Sequence, residues 1–338
     1  MFRFISSLFH PPRDSEQNLR QILIRAATER AIEGTDSRLR ALNGYRKKLQ
    51  GPIERAVEHV VALVDSIPEA VELSAAGFGS DPRIRALFCS VEHLHEVLGK
   101  MKDVREYRAT HRAADIYALL TVRKEERSVL GIALEGESLR RDVLQTAVNF
   151  TSHCCIGLAS TEPDTRRELK QRAFDFLVAK ALARLVEIKQ GKSDIERQRT
   201  LLQRKLDAMR AGDWGLEAEI SNGGPPFGDI STLEAEINAI EAELGQYRGE
   251  DLGLEESLGH IGGVLMDPGS WLDLRPITLT LDHRGIKSDE SGEQFRDIEF
   301  SELCSKSGER RLVLLVRIPD GEIPDRGNFL SKASYYLN

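Results

Sequence analysis

The segment from Phe174 to Met209 reads FDFLVAKALARLVEIKQGKSDIERQRTLLQRKLDAM and carries the strongest periodic pattern of the chain. Apolar residues recur in alternating steps of four and three, and only Lys192 and Arg199 interrupt them. We call this set the seam: Phe174, Val178, Ala181, Leu185, Ile188, Ile195, Leu202, Leu206 and Met209. Such spacing aligns apolar side chains on one helix face and is typical of a coiled coil. We therefore predict a long helix whose seam contacts a partner helix.

A second apolar stripe follows after a stretch rich in glycine and proline. Residues 212–228 include Gly223-Gly224-Pro225-Pro226, which cannot continue a helix. The second stripe consists of Ile230, Leu233, Ile237, Ile240, Leu244 and Tyr247. Two helices joined by such a loop predict a long antiparallel coiled-coil hairpin. Because its second arm is shorter, we expect the uncovered part of the first arm to meet a partner subunit or another domain.

Short apolar runs on both sides of this hairpin predict strands. Residues 114–122 and 128–134 suit two paired strands, with the charged residues 123–127 as the turn, and residues 149–159 suit a third. Near the C-terminus, residues 277–281, 295–303 and 312–318 predict three strands. Three strands at this spacing form a small antiparallel meander when a helix supports them.

The predicted fold class is mainly α with minor β structure (α+β). Its parts in chain order are an apolar tail over 1–12, a helical region over 13–110, a small β-containing region with a hairpin over 111–160, the coiled-coil hairpin over 161–250, and a helix with the C-terminal meander over 251–338.

Composition narrows the class of protein. Of 338 residues, 41% are hydrophobic and 30% charged, which favours a folded chain with a highly charged surface over a disordered one. The net charge of −7 argues against general nucleic-acid binding. The four cysteines, Cys89, Cys154, Cys155 and Cys304, show no pairing pattern. We therefore expect reduced thiols and a cytoplasmic location.

The best candidate for a metal site is the segment from Cys89 to Glu96. On a helix, Cys89, Glu92, His93 and Glu96 would share one face, and Glu92 with His95 gives one E-x-x-H pair. The predicted ligands are Cys89, Glu92, His93 and His95, and His59 or His111 would complete a zinc site. The alternative interpretation is a solvated helix face with incidental histidines.

Other candidate sites are weaker. His153-Cys154-Cys155 could pair a thiolate with a base, but neighbours on a strand point to opposite faces. A basic cluster of Arg38, Arg40, Arg46, Lys47 and Lys48 could contact phosphate or could be an exposed helix face. The glycine-rich loops of standard nucleotide-binding motifs do not occur, and no cofactor is predicted.

These observations favour a cytoplasmic structural or interaction protein, a scaffold or adaptor that assembles as a homo-oligomer through the seam. No catalytic motif points to an enzyme. One alternative is a metal-dependent enzyme or sensor at residues 89–96. Another is a protein attached to the inner membrane surface by the apolar face of residues 1–9: Phe2, Phe4, Ile5, Leu8 and Phe9.

Overall fold

A computed structural model describes residues 16–111, 115–135, 138–212, 230–246, 253–288 and 295–323. The helices are α1 (Glu16–Gly34), α2 (Tyr45–Asp65), α3 (Ala75–Ser80), α4 (Pro82–Leu87), α5 (Val91–Lys100), α6 (Lys102–Thr110), α7 (Glu162–Gly212), α8 (Ile230–Gln246), α9 (Leu254–Met266) and α10 (Pro268–Trp271). The strands are β1 (Val71–Glu72), β2 (Ile116–Glu135), β3 (Ser138–Ala159), β4 (Leu272–Leu281), β5 (Ile286–Lys287), β6 (Arg296–Ser305) and β7 (Arg310–Ile318). Two 3₁₀ turns cover Ser37–Ala41 and Asp320–Glu322.

Six strands close into an antiparallel barrel in the order β2-β3-β5-β4-β6-β7. Closure occurs because β7 pairs with β6 along one edge and with β2 along the other. The short strand β1 joins β7 in parallel. The predicted fold class is therefore wrong. The meander prediction fits in part, since β4, β6 and β7 are successive neighbours, but they belong to the same barrel as β2 and β3.

The barrel forms because β2 and β7 are apolar on both faces. Leu120 and Leu314 pack in a core shared with helices α4 to α6. Leu119 and Leu315 point the other way, into a core shared with α1, α2, α7 and α9. A strand covered on both faces reads as a continuous apolar run, which residues 312–316 show. Such a strand needs cover on both sides, and an independent surface meander would leave one side exposed to water.

The charged residues 123–127 do not form the predicted turn. β2 runs through them to Glu135 and pairs with β3 along its length. Among the described strands, β2 pairs with β7 only as far as Val122, and β3 pairs with β5 only at Thr146 and Ala147. Residues 123–135 and 138–145 therefore extend past the barrel as a two-stranded arm, which we call the β-ribbon. Charged residues suit this position because β2 has no β7 neighbour here, and side chains such as Glu126 and Arg127 are exposed.

The predicted long coiled-coil hairpin is also wrong. Helix α7 is 51 residues long, about 75 Å at the standard rise. Its seam residues Phe174, Val178 and Leu185 are buried within the chain, in the core that α1, α2 and α9 share. The 4/3 spacing marks one apolar face of the helix but does not identify what covers that face. Here other helices of the same chain cover it.

The far end of α7 contacts α8. Leu202 and Leu206 pack on Leu233 and Ile237, and the Arg199 guanidinium lies 3.0 Å from the Glu241 carboxylate. The two seam residues between these regions, Ile188 and Ile195, are half-buried, and the side chain of Met209 lies outside the described part of the structure. The seam is thus divided between a long core contact and a short helix pair.

Leucines on α7 give a direct test of this division. Leu185 is 1% exposed in the core and Leu201, on the same helix, is 65% exposed. We expect Leu185→Ala to lower the free energy of unfolding by about 2–5 kcal/mol, because it opens a cavity. Leu201→Ala should change it by about 0.5 kcal/mol or less. Urea unfolding at several protein concentrations measures both. A Leu185→Ala effect that depends on concentration would mean that the seam is filled by a second chain.

Candidate functional site

A cleft of about 990 Å³ opens where the barrel meets α3 and α4. Helices α3 and α4 and the segment leading into α5 form one wall, and β3, β6 and the turn between β4 and β5 form the other. Its lining residues are Phe78, Pro82, Arg85, Ala86, Leu87, Phe88, Cys89, His93, Arg127, Val148, Asn149, Phe150, Thr151, Leu281, Asp282, His283, Arg284, Gly285, Arg296 and Ile298. The cleft therefore collects residues from segments that are far apart in the chain.

The cleft is basic in an otherwise acidic protein. Arg85, Arg127, Arg284 and Arg296 line it, and Asp282 is the one carboxylate among these lining residues. With histidines neutral, four positive charges and one negative charge give the lining a formal charge of +3, whereas the whole chain carries −7. A concave surface of one sign raises the local concentration of oppositely charged ligands. The arrangement favours an anion.

The turn between β4 and β5 holds Arg284 at the cleft. The Asp282 carboxylate accepts backbone N–H bonds from Arg284 and Ile286, both at 2.8 Å, and a guanidinium N–H bond from Arg284 at 3.0 Å. Gly285 completes the turn at φ +78°, which suits glycine, and a Cβ there would lie 3.1 Å from the Val148 carbonyl oxygen. Burial alone would raise the pKa of Asp282, but these hydrogen bonds outweigh it and hold the pKa below its usual value. Asp282 therefore stays ionised and keeps the turn closed.

Two other arginines in the cleft have contrasting partners. Arg127 lies on the β-ribbon, 3.1 Å from the Glu125 carboxylate, which partly balances its charge. Arg85 on α4 donates instead to backbone carbonyls, to Gly79 at 2.7 Å and to Phe78 at 3.4 Å. Neutral acceptors orient a guanidinium without cancelling its charge. Arg85 is therefore positioned by the fold and keeps its full charge for a ligand.

The rings of Phe88, in the segment before α5, and of His93, on α5, line the cleft. Phe88 is buried, and its ring centroid lies 4.9 Å from that of His153 and 5.9 Å from that of His93. Ser90 caps α5 by accepting the His93 backbone N–H. The Cys89 N–H donates to His93 Nδ1 at 3.3 Å, so in the neutral ring the proton sits on Nε2. His93 can therefore donate a hydrogen bond from Nε2.

The predicted metal ligands do not come together. His95 bonds Glu322 at 2.6 Å, whereas His93 faces Phe88 and His153. The two supplementary candidates are also engaged elsewhere, since His59 bonds the Leu272 carbonyl at 2.7 Å and His111 stacks on Tyr107. Throughout the described ranges, no three His, Cys, Asp or Glu side chains are grouped so that they could hold a metal ion. Cys89 and His93 instead belong to the wall of the cleft.

The other sequence candidates have structural partners. Burial raises the pKa of the Cys155 thiol to about 12, which makes it a poor nucleophile, and His153 lies with its Nε2 3.0 Å from the Leu87 carbonyl oxygen. Four of the five residues of the basic cluster contact three acidic side chains. Arg40 and Arg46 contact Glu29, Arg38 contacts Asp36, and Lys48 contacts Glu255. All four cysteines are free.

Attachment to a membrane surface through residues 1–9 stays a prediction. Phe2, Phe4, Ile5, Leu8 and Phe9 lie outside the described residues. Across the described helices, none is both long enough and apolar enough to cross a membrane.

Comparison with known proteins gives no relative: no protein-family model, no curated protein sequence and no solved structure matches this chain. The function is therefore inferred from the geometry and chemistry of the cleft.

The cleft arginines were not predicted from the sequence. Residues 85 and 127 are far in the chain from each other and from the pair 284 and 296, and each looks like an ordinary surface arginine in its local sequence. The one local signal is Asp282-His283-Arg284-Gly285, a combination typical of a tight turn that displays a basic side chain. Only barrel closure brings the four together.

His153 makes the folded state sensitive to pH. Burial, and to a lesser degree the neighbouring His93, lower the pKa of His153 below its ordinary value of 6.5. The unfolded chain therefore binds more protons than the folded protein as pH falls below 6.5, and stability is lost in that range. We expect the NMR titration midpoint of His153 to lie below 6.5, and His153→Asn to weaken the acid-side loss of stability. A midpoint at or above 6.5 would contradict this prediction.

Proposed function

We propose that this protein is a binding protein that takes up an anionic ligand in the cleft. The observation that carries the proposal is the set of four arginines in one concave space, where Asp282 is the one carboxylate among the described lining residues. Guanidinium groups present several N–H donors in a plane and bind phosphate or carboxylate through paired hydrogen bonds. A ligand of this type would neutralise the surplus charge that the fold concentrates there.

The contacts of the arginines support a built site over a chance cluster. Arg284 is fixed by a turn whose buried aspartate accepts three hydrogen bonds from residues 284 and 286. Arg85 is fixed by two backbone carbonyls. Long basic side chains lose conformational entropy when a ligand immobilises them, and positions already held by the protein reduce that loss.

Inorganic pyrophosphate is the probe for the anion site. We expect it to bind the wild-type protein by isothermal titration calorimetry, with an affinity that falls as salt is added, because exposed charges are screened. Arg85→Gln and Arg296→Gln should each weaken binding about tenfold or more, which corresponds to about 1.4 kcal/mol.

Arg172→Gln is the matched control, because it removes one positive charge from α7, where Arg172 pairs with Glu168 and lines no part of the cleft. Its affinity for pyrophosphate should equal that of the wild type. No binding by the wild type, or equal weakening by the control, would refute the anion site.

We also propose that the protein forms a protein–protein interface. The sequence predicts this interface at the seam, whereas the proposed interface is the β-ribbon. Leu130 on β2 and Leu144 on β3 are directly opposed in register and are 70% and 72% exposed. An exposed apolar pair on two paired strands is a small surface that a partner could cover. The proposed partner is a second copy of this chain, which would make the protein a homo-oligomer.

Sedimentation velocity over a range of concentrations tests the ribbon. We expect the wild type to form a species heavier than one chain, and the double variant Leu130→Ser/Leu144→Ser to remain a monomer, because the apolar area that drives association is lost. Leu201→Ser is the control, since it removes an exposed leucine from α7. A wild type that stays monomeric at every concentration would refute self-association through the ribbon.

A further inference from the structure

We propose that the ligand of the cleft is a nucleoside polyphosphate, a molecule that joins a phosphate chain to an aromatic base. This inference rests on the proposed anion site and adds the chemical class of its ligand. The cleft carries two kinds of recognition chemistry, one for phosphate and one for an aromatic ring, and a nucleotide uses both.

The volume of the cleft favours an organic ligand. A phosphate or pyrophosphate ion fills little of a cleft of about 990 Å³. Sites for organic ligands and cofactors have volumes of about 300–1,000 Å³. The space therefore suits an organic anion with a body of its own, and the arginines would bind only one part of it.

The accessible aromatic rings of the cleft favour a ligand that contains an aromatic base. Phe78 and Phe150 line the cleft and are half-buried, so part of each ring remains accessible. Phe150 is supported by Phe300, with ring centroids 6.2 Å apart, and Phe88 lies buried at the back. Bases stack on accessible aromatic rings, and this stacking contributes favourably for any base because each presents a π-face.

Polar groups of the same cleft could read the edge of a base. Asn149 on β3 lines the cleft, and its amide can both donate and accept hydrogen bonds. His93 can donate from Nε2, because its Nδ1 accepts the Cys89 N–H. These groups lie in the same cleft as the arginines, so a single ligand can contact both. The cleft does this without a glycine-rich phosphate loop, which explains why motif-based sequence analysis gives no sign of it.

The test compares four probes by calorimetry: ATP, GTP, inorganic triphosphate and adenosine. We expect ATP or GTP to bind about tenfold or more tightly than triphosphate, and also more tightly than adenosine, because only the nucleotide combines stacking with charge. Phe150→Leu should weaken nucleotide binding and leave triphosphate binding unchanged. Arg296→Gln should weaken both.

Phe176→Leu on α7 is the control for the aromatic substitution, because Phe176 packs on the helical core, away from the cleft. Thermal melting of each variant confirms that it is folded. If triphosphate binds as tightly as both nucleotides and Phe150→Leu has no effect, the nucleotide inference fails and the anion site stands. If neither triphosphate nor either nucleotide binds the folded wild type, both proposals fail.

Discussion

The pairing of β2 with β7 is the contact on which the remaining structure depends. It joins Ile116 to Ile318 and continues in register to Val122 and Leu312. Bringing together strands so far apart in sequence costs loop-closure entropy before any contact offsets it. The offset comes from apolar side chains on both faces of both strands, which are covered by two separate cores. Without this pairing, β4, β6 and β7 would be an open sheet with an apolar face in water.

Helix α7 links the core of α1, α2 and α9 to the barrel, because Thr165 at its start donates a hydrogen bond to the Tyr117 carbonyl of β2 at 3.1 Å. Near its start, Arg166 donates hydrogen bonds to the carbonyl of Val64 in the last turn of α2, at 2.8 Å, and to that of Ile67 just after the helix, at 2.9 Å. Further along, Asp175 accepts hydrogen bonds from Arg30 on α1. The seam, which resembles that of a coiled coil, is thus buried largely by other segments of the same chain. Less of α7 is therefore available to a partner than its length implies.

The cleft is a product of the same closure. Its aromatic rings and arginines lie on helices that precede the barrel and on strands from both ends of it. The buried carboxylate of Asp282 stabilises the turn that carries Arg284. It therefore positions Arg284 and also lowers the positive charge of the cleft lining by one. The outcome is a site with local charge opposite to that of the whole protein. This contrast matters because net charge governs the approach of a ligand at long range, whereas the lining governs binding at contact.

The local elements of this protein follow from its amino-acid pattern. The spacing of apolar residues identified α7 and α8, and the apolar runs identified β4, β6, β7 and the start of β2, because periodicity reports which faces of an element avoid water. What covers those faces follows from long-range packing. Whether Leu185 meets a second helix or the protein's own core, and whether Leu314 meets β2 or solvent, depends on contacts between distant segments. The cleft depends on them most, since arginines 85, 127, 284 and 296 acquire a shared role only when the barrel closes and their charges add in one place.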